Sequence, residues 1–477
     1  MIYRLAKVLF QWLYILIILC FLLLPSMGQV LANNTPIRTV NIPYWPSAGP
    51  EPGRAIFWFG GVNPYRNNID VRLVYDDNQL IITGHIIDRL LWSDEENDIS
   101  DITNWDAISV YIHTSDIPAS TIDDRSFRFD AQLDNFQAAY QGTNANWKYV
   151  DIPFSIATVW RGDFGPNSGT DAKGWVVDLN IPFSAIGLTE APKFRSSMRL
   201  GVILHDRDDK DGTIIEHITW PENMKGNDPT TWGVMYYGLP VYTPEQSLPS
   251  GQIEIREGLN GATVKDAHVG GHTTCGDQVD HWSEWGEANY AGYEQINIQN
   301  QWDISDWPCF SKYYLTIPLD SLPPGKVIIN ASLTMTLFGN AGGGDWGEPP
   351  DSYIQVFTIA EDWDEATLSW NNAPMALENI SGTWVYPRDY NLPDQPYHWD
   401  VSKAVHEAYA SGEPLRLALY SADGERHTGK YFWSSDTGDW NADSRPTLRV
   451  TIGDSSVPPQ PSNHIFTYLP QVLSSNH

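Results

Sequence analysis

Asp70-Val-Arg-Leu-Val-Tyr-Asp-Asp-Asn-Gln-Leu-Ile-Ile-Thr-Gly-His-Ile-Ile87 reads as two strands, Asp70–Tyr75 and Gln79–Ile87, reversed at Asp76-Asp77-Asn78. Alternating apolar residues on both sides of an Asp/Asn turn are the signal of an antiparallel hairpin. The pattern recurs outward at Ala107–His113, Phe127–Leu133, Trp175–Ile181, Arg199–His205 and Thr213–Trp220. It returns at Tyr313–Ile317, Lys326–Phe338, Tyr353–Ile359, Leu415–Tyr420 and Thr447–Ile452. A single short helix is expected at Ser402–Ala410, where Ala404, Val405 and Ala408 keep helical spacing and Gly412 follows as a stop. With 37 glycines and 33 prolines to supply turns, the chain reads as all-β.

At 477 residues the chain exceeds one ordinary core. Breaks in pattern divide it into an extended leader (33–55), a first sandwich (56–240), a Pro-containing linker (241–251), a second sandwich (252–453) and a Pro/Ser-rich tail (454–477). Ahead of these, Arg4 and Lys7 precede the apolar run Val8–Leu24, which reads as a signal peptide over residues 1–32 and sends the chain out of the cell. The same run has the length to serve as an uncleaved anchor. There are 59 acidic against 29 basic residues, a net charge of −30. Such a field repels phosphate backbones and anionic membranes, so neither nucleic acid nor a membrane beyond the signal segment is an expected partner.

Three segments of residues 56–240 resemble the family 9 carbohydrate-binding modules. They are Gln79–Asp88 with Trp105–Ile112, then Gly174–Gly187, then Leu200–Asp206 followed by Ile218-Thr219-Trp220. The resemblance implies a jelly-roll β-sandwich that holds sugar-chain ends by aromatic stacking and hydroxyl hydrogen bonds. It places Trp105 at a stacking position, Arg128 at a hydroxyl-binding arginine and Asp130 beside it. It also implies a gap, because Gly226 stands where the family has its second stacking tryptophan and Ser109 where it has an acid. Trp92 and Trp232 are the neighbouring candidates to fill that gap. The acidic turn Asp206, Asp208, Asp209 and Asp211 is a candidate Ca²⁺ loop, although it lacks the EF-hand register, and a solvated hairpin turn is the plainer reading.

Residues 252–453 resemble the DNRLRE-type domain related to carbohydrate-binding family 96, through Asn289–Gly292, Tyr313–Pro323, Trp363–Pro374, Trp399–Val405 and Arg445–Leu448. This implies a second jelly roll in tandem with the first. Within it Cys275 and Cys309 bracket a loop carrying Trp282, Trp285, Trp302 and Trp307, together with Tyr290 and Tyr293. In an oxidising compartment the two cysteines pair and close the loop. The loop then reads either as a ligand platform or as aromatics packed on one another. A zinc site with His272 or His281 lacks the usual Cys spacing. No Ser-His-Asp or GxSxG signal appears and both sandwiches consume the length, so no catalytic domain remains. The chain thus reads as a non-catalytic extracellular protein binding a polysaccharide or cell-surface glycan. The rival readings are a structural or adhesive surface protein and a polysaccharide-degrading enzyme.

Overall fold

The computed structural model describes residues 36–46, 48–94, 96, 102–212, 215–273, 280–301, 304, 307–344 and 347–455. The hairpin is present: Arg66–Tyr75 pairs antiparallel with Gln79–Ile87, with Tyr75 opposite Leu80. Asp76 closes the turn by accepting hydrogen bonds from the Asn78 and Gln79 N–H groups. The hairpin lies in a five-stranded sheet ordered Ala55–Asn63, Arg66–Tyr75, Gln79–Ile87, Ala172–Pro182, Ser155–Gly162. Its inner face packs Ile69, Val71, Leu73, Ile82 and Val177 against Ile108, Val110, Phe129, Leu200 and Val202 of a second sheet. Trp175 and Trp220 are fully buried in that core.

The second sandwich has the same logic. In Lys326–Asn340, Ala331, Leu333, Met335 and Leu337 point inward while Ser332, Thr334 and Thr336 alternate with them. This strand centres a six-stranded sheet with Pro249–Ile255, Thr447–Asp454, Lys430–Trp433, Gln295–Ile298 and Gln395–Asp400. The helix spans Ser402–Ser411 and ends at Gly412, whose φ of 72° is the left-handed conformation glycine adopts without cost. Asp400 accepts the Ser402 N–H, whereas the Ser402 hydroxyl turns inward to the Ala331 backbone.

The two sandwiches share one sheet. Lys265–Gly270, Ser311–Ile317, Leu415–Ser421, Ser352–Thr358 and Glu378–Val385 belong to the second, and Gly233–Tyr237, Ser197–Arg207, Ala107–His113, Ser126–Gln132, Phe136–Thr143 and Asn146–Tyr149 to the first. Ile215–Trp220 pairs with Ser197–Arg207 at the side of this path. Between the two sets stands Thr39–Ile42, from the segment expected to be an extended leader. It runs parallel to Gly233–Tyr237 through four register pairs and meets the second sandwich at Thr39 opposite Glu378. Beyond that bridge, side-chain amides continue the ladder. The Asn41 N–H donates to Asn379 Oδ1 at 2.7 Å, Asn41 Nδ2 to the Asn379 carbonyl at 2.7 Å, and Asn379 Nδ2 to the Asn41 carbonyl at 2.9 Å. Arg38, 2% exposed, bridges Glu222 of the first sandwich and Glu361 of the second.

A third core fills the angle between the sandwiches. Ile56, Trp58, Val62, Ile87 and Val176 pack on Tyr314, Phe357, Trp370 and Tyr420. Trp58 meets Phe357 and Tyr420 edge-on at 5.1 and 5.6 Å. Arg72, buried, donates to the Asp423 and Gln301 carbonyls and to Asn300 Oδ1, so its charge is spread over acceptors of the other sandwich. Burial on this scale stabilises by roughly 1.5–3 kcal/mol per large apolar side chain. The described residues from Ile37 to Ser455 accordingly form one compact unit.

Candidate metal centre and saccharide-binding face

Three strand ends of the first sandwich bring Asp88, Asp106 and Asp206 together. One oxygen of each lies within 4.8 Å of the others, and all three residues are buried. Asp106 is held by the Trp92 and Arg207 N–H groups at 2.6 and 2.8 Å, and Asp88 accepts from the Leu90 N–H at 3.0 Å. Both carboxylate oxygens of Asp206 are buried without a hydrogen bond among the described residues. Burial, with the Asp208 and Glu216 charges adding to it, pushes Asp206 up to about 8. Burial and the neighbouring carboxylates raise Asp88 and Asp106 in the same direction. Three converging oxygen donors, one of them unpartnered, fit a hard divalent cation of the Ca²⁺ kind, whose bonds of about 2.3–2.6 Å span such a separation.

Of the expected calcium loop, only Asp206 belongs to this cluster. The turn after it wraps a guanidinium: Arg207 donates to the Asn104, Asp209 and Lys210 carbonyls. Asp209 thus contributes its backbone to the turn, Asp211 is exposed, and Asp208 stands half-buried beside the cluster. Of the set Asp206, Asp208, Asp209 and Asp211, Asp206 alone converges with other carboxylates, Asp88 and Asp106, while Arg207 occupies the centre of the turn. The sequence shows Asp88 and Asp106 only as residues flanking strands, and nothing in their spacing announces that those ends meet.

The expected sugar-contacting residues form a polar line on the outer face of the same sheet. Ser109 lies opposite Asp130, and Tyr111 opposite Arg128. Arg128 pairs with Asp130 at 2.6 Å and lies 5.0 Å over the Tyr140 ring. The Ser109 hydroxyl donates to Asp130 at 2.6 Å and meets His205 Nε2 at 2.8 Å, while His205 Nδ1 contacts His217 Nδ1 at 2.8 Å. Burial, His217 and Arg128 together hold His205 well below the usual histidine range, hence neutral. Ser109, where the family pattern has an acid, therefore serves as a relay between Asp130 and His205. Tyr149, half exposed, stands edge-on to Tyr140 at 6.0 Å and gives this face an aromatic flank.

The remaining aromatics lie elsewhere. The Trp105 ring is half-buried and carries the Arg207 guanidinium on it at 3.8 Å. Trp92 is buried beside the carboxylate cluster, which its backbone serves. Trp232 is buried against Tyr111, with its indole N–H on the Lys225 carbonyl. A Cβ at Gly226 would lie 3.1 Å from the Tyr111 hydroxyl, so Tyr111 takes the space of the missing tryptophan. Trp285 and Trp307, at 0% and 2% exposure, belong to the core between the sandwiches, with Trp282 tilted against Trp307 at 4.7 Å. Buried rings offer no face to a sugar, so Trp92, Trp232, Trp285 and Trp307 are corrected to packing residues. Trp302 and Cys275 lie outside the described residues; Cys309 is disulfide-bonded. The signal segment lies outside them as well, and among those described no helix is long and apolar enough to cross a membrane.

Residues 63–237 match the family model described as Carbohydrate family 9 binding domain-like, and residues 281–451 match Carbohydrate-binding module family 96. No curated protein matches the chain significantly. Among solved structures, a family 9 module from Caldicellulosiruptor kristjanssonii in complex with cellotriose is 14% identical. It aligns over 43% of this chain and 100% of its own, with a TM-score of 0.31. A putative carbohydrate-binding protein from Bacteroides uniformis is 11% identical over 42% of this chain and 99% of its own, with a TM-score of 0.30. At these scores neither likeness carries an argument about function. The two matches are to the families, and stand in the order, that the motifs imply.

Proposed function

We propose that the protein is a non-catalytic, exported glycan-binding protein whose first sandwich is stiffened by Ca²⁺ at Asp88, Asp106 and Asp206. The observation that carries the reading is the succession of two carbohydrate-binding family matches along one chain. The face around Arg128 and Asp130 suits the task. It has the part-exposed Arg128 guanidinium, held in place by the buried Asp130 carboxylate, for hydroxyls and the half-exposed Tyr149 ring for a C–H face, the combination by which pyranoses are held. The Trp105 ring, already covered on one side by Arg207, plays the smaller part. Calcium acts at a distance from the sugar, by fixing the strand ends that flank this face.

Affinity electrophoresis of residues 33–453 through a panel of polysaccharides, with Ca²⁺ and with EDTA, tests the proposal. Retardation by a glycan that is lost in Arg128→Ala is the expected result. A folded protein that migrates freely in every gel is instead the structural or adhesive surface protein of the rival reading.

A further inference from the structure

Where the two sandwiches meet, the outer face of the five-stranded sheet and the edge of the second sandwich enclose a cleft of about 490 Å³. Its walls come from both: Arg161 and Asp178 on one side, Tyr353, Trp384 and Glu425 on the other. The Trp384 ring is 42% exposed and lies 5.2 Å from the ring of Tyr353, so the mouth is aromatic. The floor is polar and incompletely used. His85 and Arg72, each 3% exposed, line it with buried Nδ1 and Nε atoms that have no hydrogen-bond partner among the described residues. Burial and the charges of Arg72, Arg54 and Arg161 hold His85 neutral.

The charges on the walls decide which class of ligand fits. Arg54, Arg72 and Arg161 are interleaved with Glu51, Asp178, Asp351, Asp423 and Glu425. A ligand with a net charge of either sign meets like charges, whereas an uncharged ligand rich in hydroxyls finds donors and acceptors in alternation. Aromatic rings at the mouth and polar groups on the floor are what an apolar sugar face and its hydroxyl edge require. The cleft is also rigid before any ligand arrives, because Gln355 Nε2 holds the Arg54 carbonyl at 2.7 Å and Arg72 is tied to three acceptors across the junction. Resting on the glycan-binding reading above, we infer that this junction cleft is a second saccharide site, made by both sandwiches jointly, for a short uncharged oligosaccharide.

The test is calorimetric titration of the full mature chain with neutral oligosaccharides (β-glucan, xylan and mannan fragments) and with acidic ones (alginate and pectin fragments). Wild type should take up two equivalents of a neutral oligosaccharide, and Trp384→Ala, an exposed position, should lose one. Glu425→Ala should weaken the same equivalent by at least tenfold. A single equivalent abolished by Trp384→Ala supports the cleft and removes the Arg128 face. Unchanged stoichiometry and affinity in both cleft variants, with loss in Arg128→Ala, overturns the cleft and leaves glycan binding intact. Uptake of acidic fragments alone overturns the assignment of ligand class. No uptake of any fragment by folded wild type overturns both readings.

Discussion

Removing calcium should make the protein's stability depend steeply on pH. Asp206 rises from 3.8 to about 8 in the folded chain, and each tenfold change in proton affinity is worth about 1.4 kcal/mol. A folded value above the unfolded one means that the cation-free protein is fully stabilised by this group below about pH 4 and loses that contribution as pH climbs through about 8. The loss from Asp206 alone is on the order of 5 kcal/mol, with Asp88 and Asp106 acting in the same direction. A bound cation removes the repulsion, and at a hundredfold excess over its dissociation constant adds about 2.7 kcal/mol of its own. Thermal melts of the mature chain in EDTA should therefore fall in midpoint between pH 5 and pH 8. Calcium should raise the pH 8 midpoint by at least about 5 °C, at about 1 °C per kcal/mol for a unit of this size acting on the combined gain, and the pH 5 midpoint by clearly less. Asp206→Asn should erase the calcium response and melt higher than wild type in EDTA at pH 8. Coincident wild-type melts with and without calcium at pH 8 would refute the reasoning.

Three further outcomes follow from the junction. Arg38→Ala leaves the part-exposed Glu222 and Glu361 without their shared partner, and should lower stability in urea titrations by about 1.5–3 kcal/mol. Trp285→Ala empties a fully buried site between the sandwiches. It should cost about 3–5 kcal/mol in the same titration while leaving glycan retardation of the folded fraction unchanged. Lys312, buried with its ammonium 3.4 Å from the Trp370 ring centre, is lowered by desolvation to about 7. Its contribution is complete above the unfolded value of 10.5 and shrinks as pH falls through about 7. The gap in urea midpoint between Lys312→Met and wild type should therefore shift in favour of the variant from pH 10 to pH 7, and a constant gap would show that Lys312 keeps its charge in the fold and is not lowered.

The strands were legible because alternation is local. Lys326–Phe338 in the sequence is Lys326–Asn340 in the fold, and Thr447–Ile452 is Thr447–Asp454. Thr39–Ile42 was not, since four residues flanked by prolines and asparagines carry no period of their own and become a strand only by contact with partners far along the chain. The same limit governs the sites. Asp130 and Arg128 share one strand and pair across two positions of it, so their proximity is legible in the sequence. Asp88 and Asp106 close a cluster with Asp206 only after the sheets are assembled. Trp285 and Trp307 look like a platform when only their own loop is considered. The surface that buries them comes from both sandwiches, Trp370 of their own and Val62 and Ile56 of the other.

The strand Thr39–Ile42 also sets an order of events. Asn41 and its partner Asn379 are 338 residues apart, so the closing strand emerges early in synthesis and waits, as an unsatisfied edge, for residues made much later. Chains that depend on such distant pairings fold slowly and expose sticky edges while they wait. A fragment cut near residue 240 would keep its own sandwich core, yet it would carry Asn41 and Trp58 to the surface with nothing to meet them. The two sandwiches are thus one folding unit: cut apart, each would expose an unpaired edge, and together they hold their faces at one fixed distance and angle.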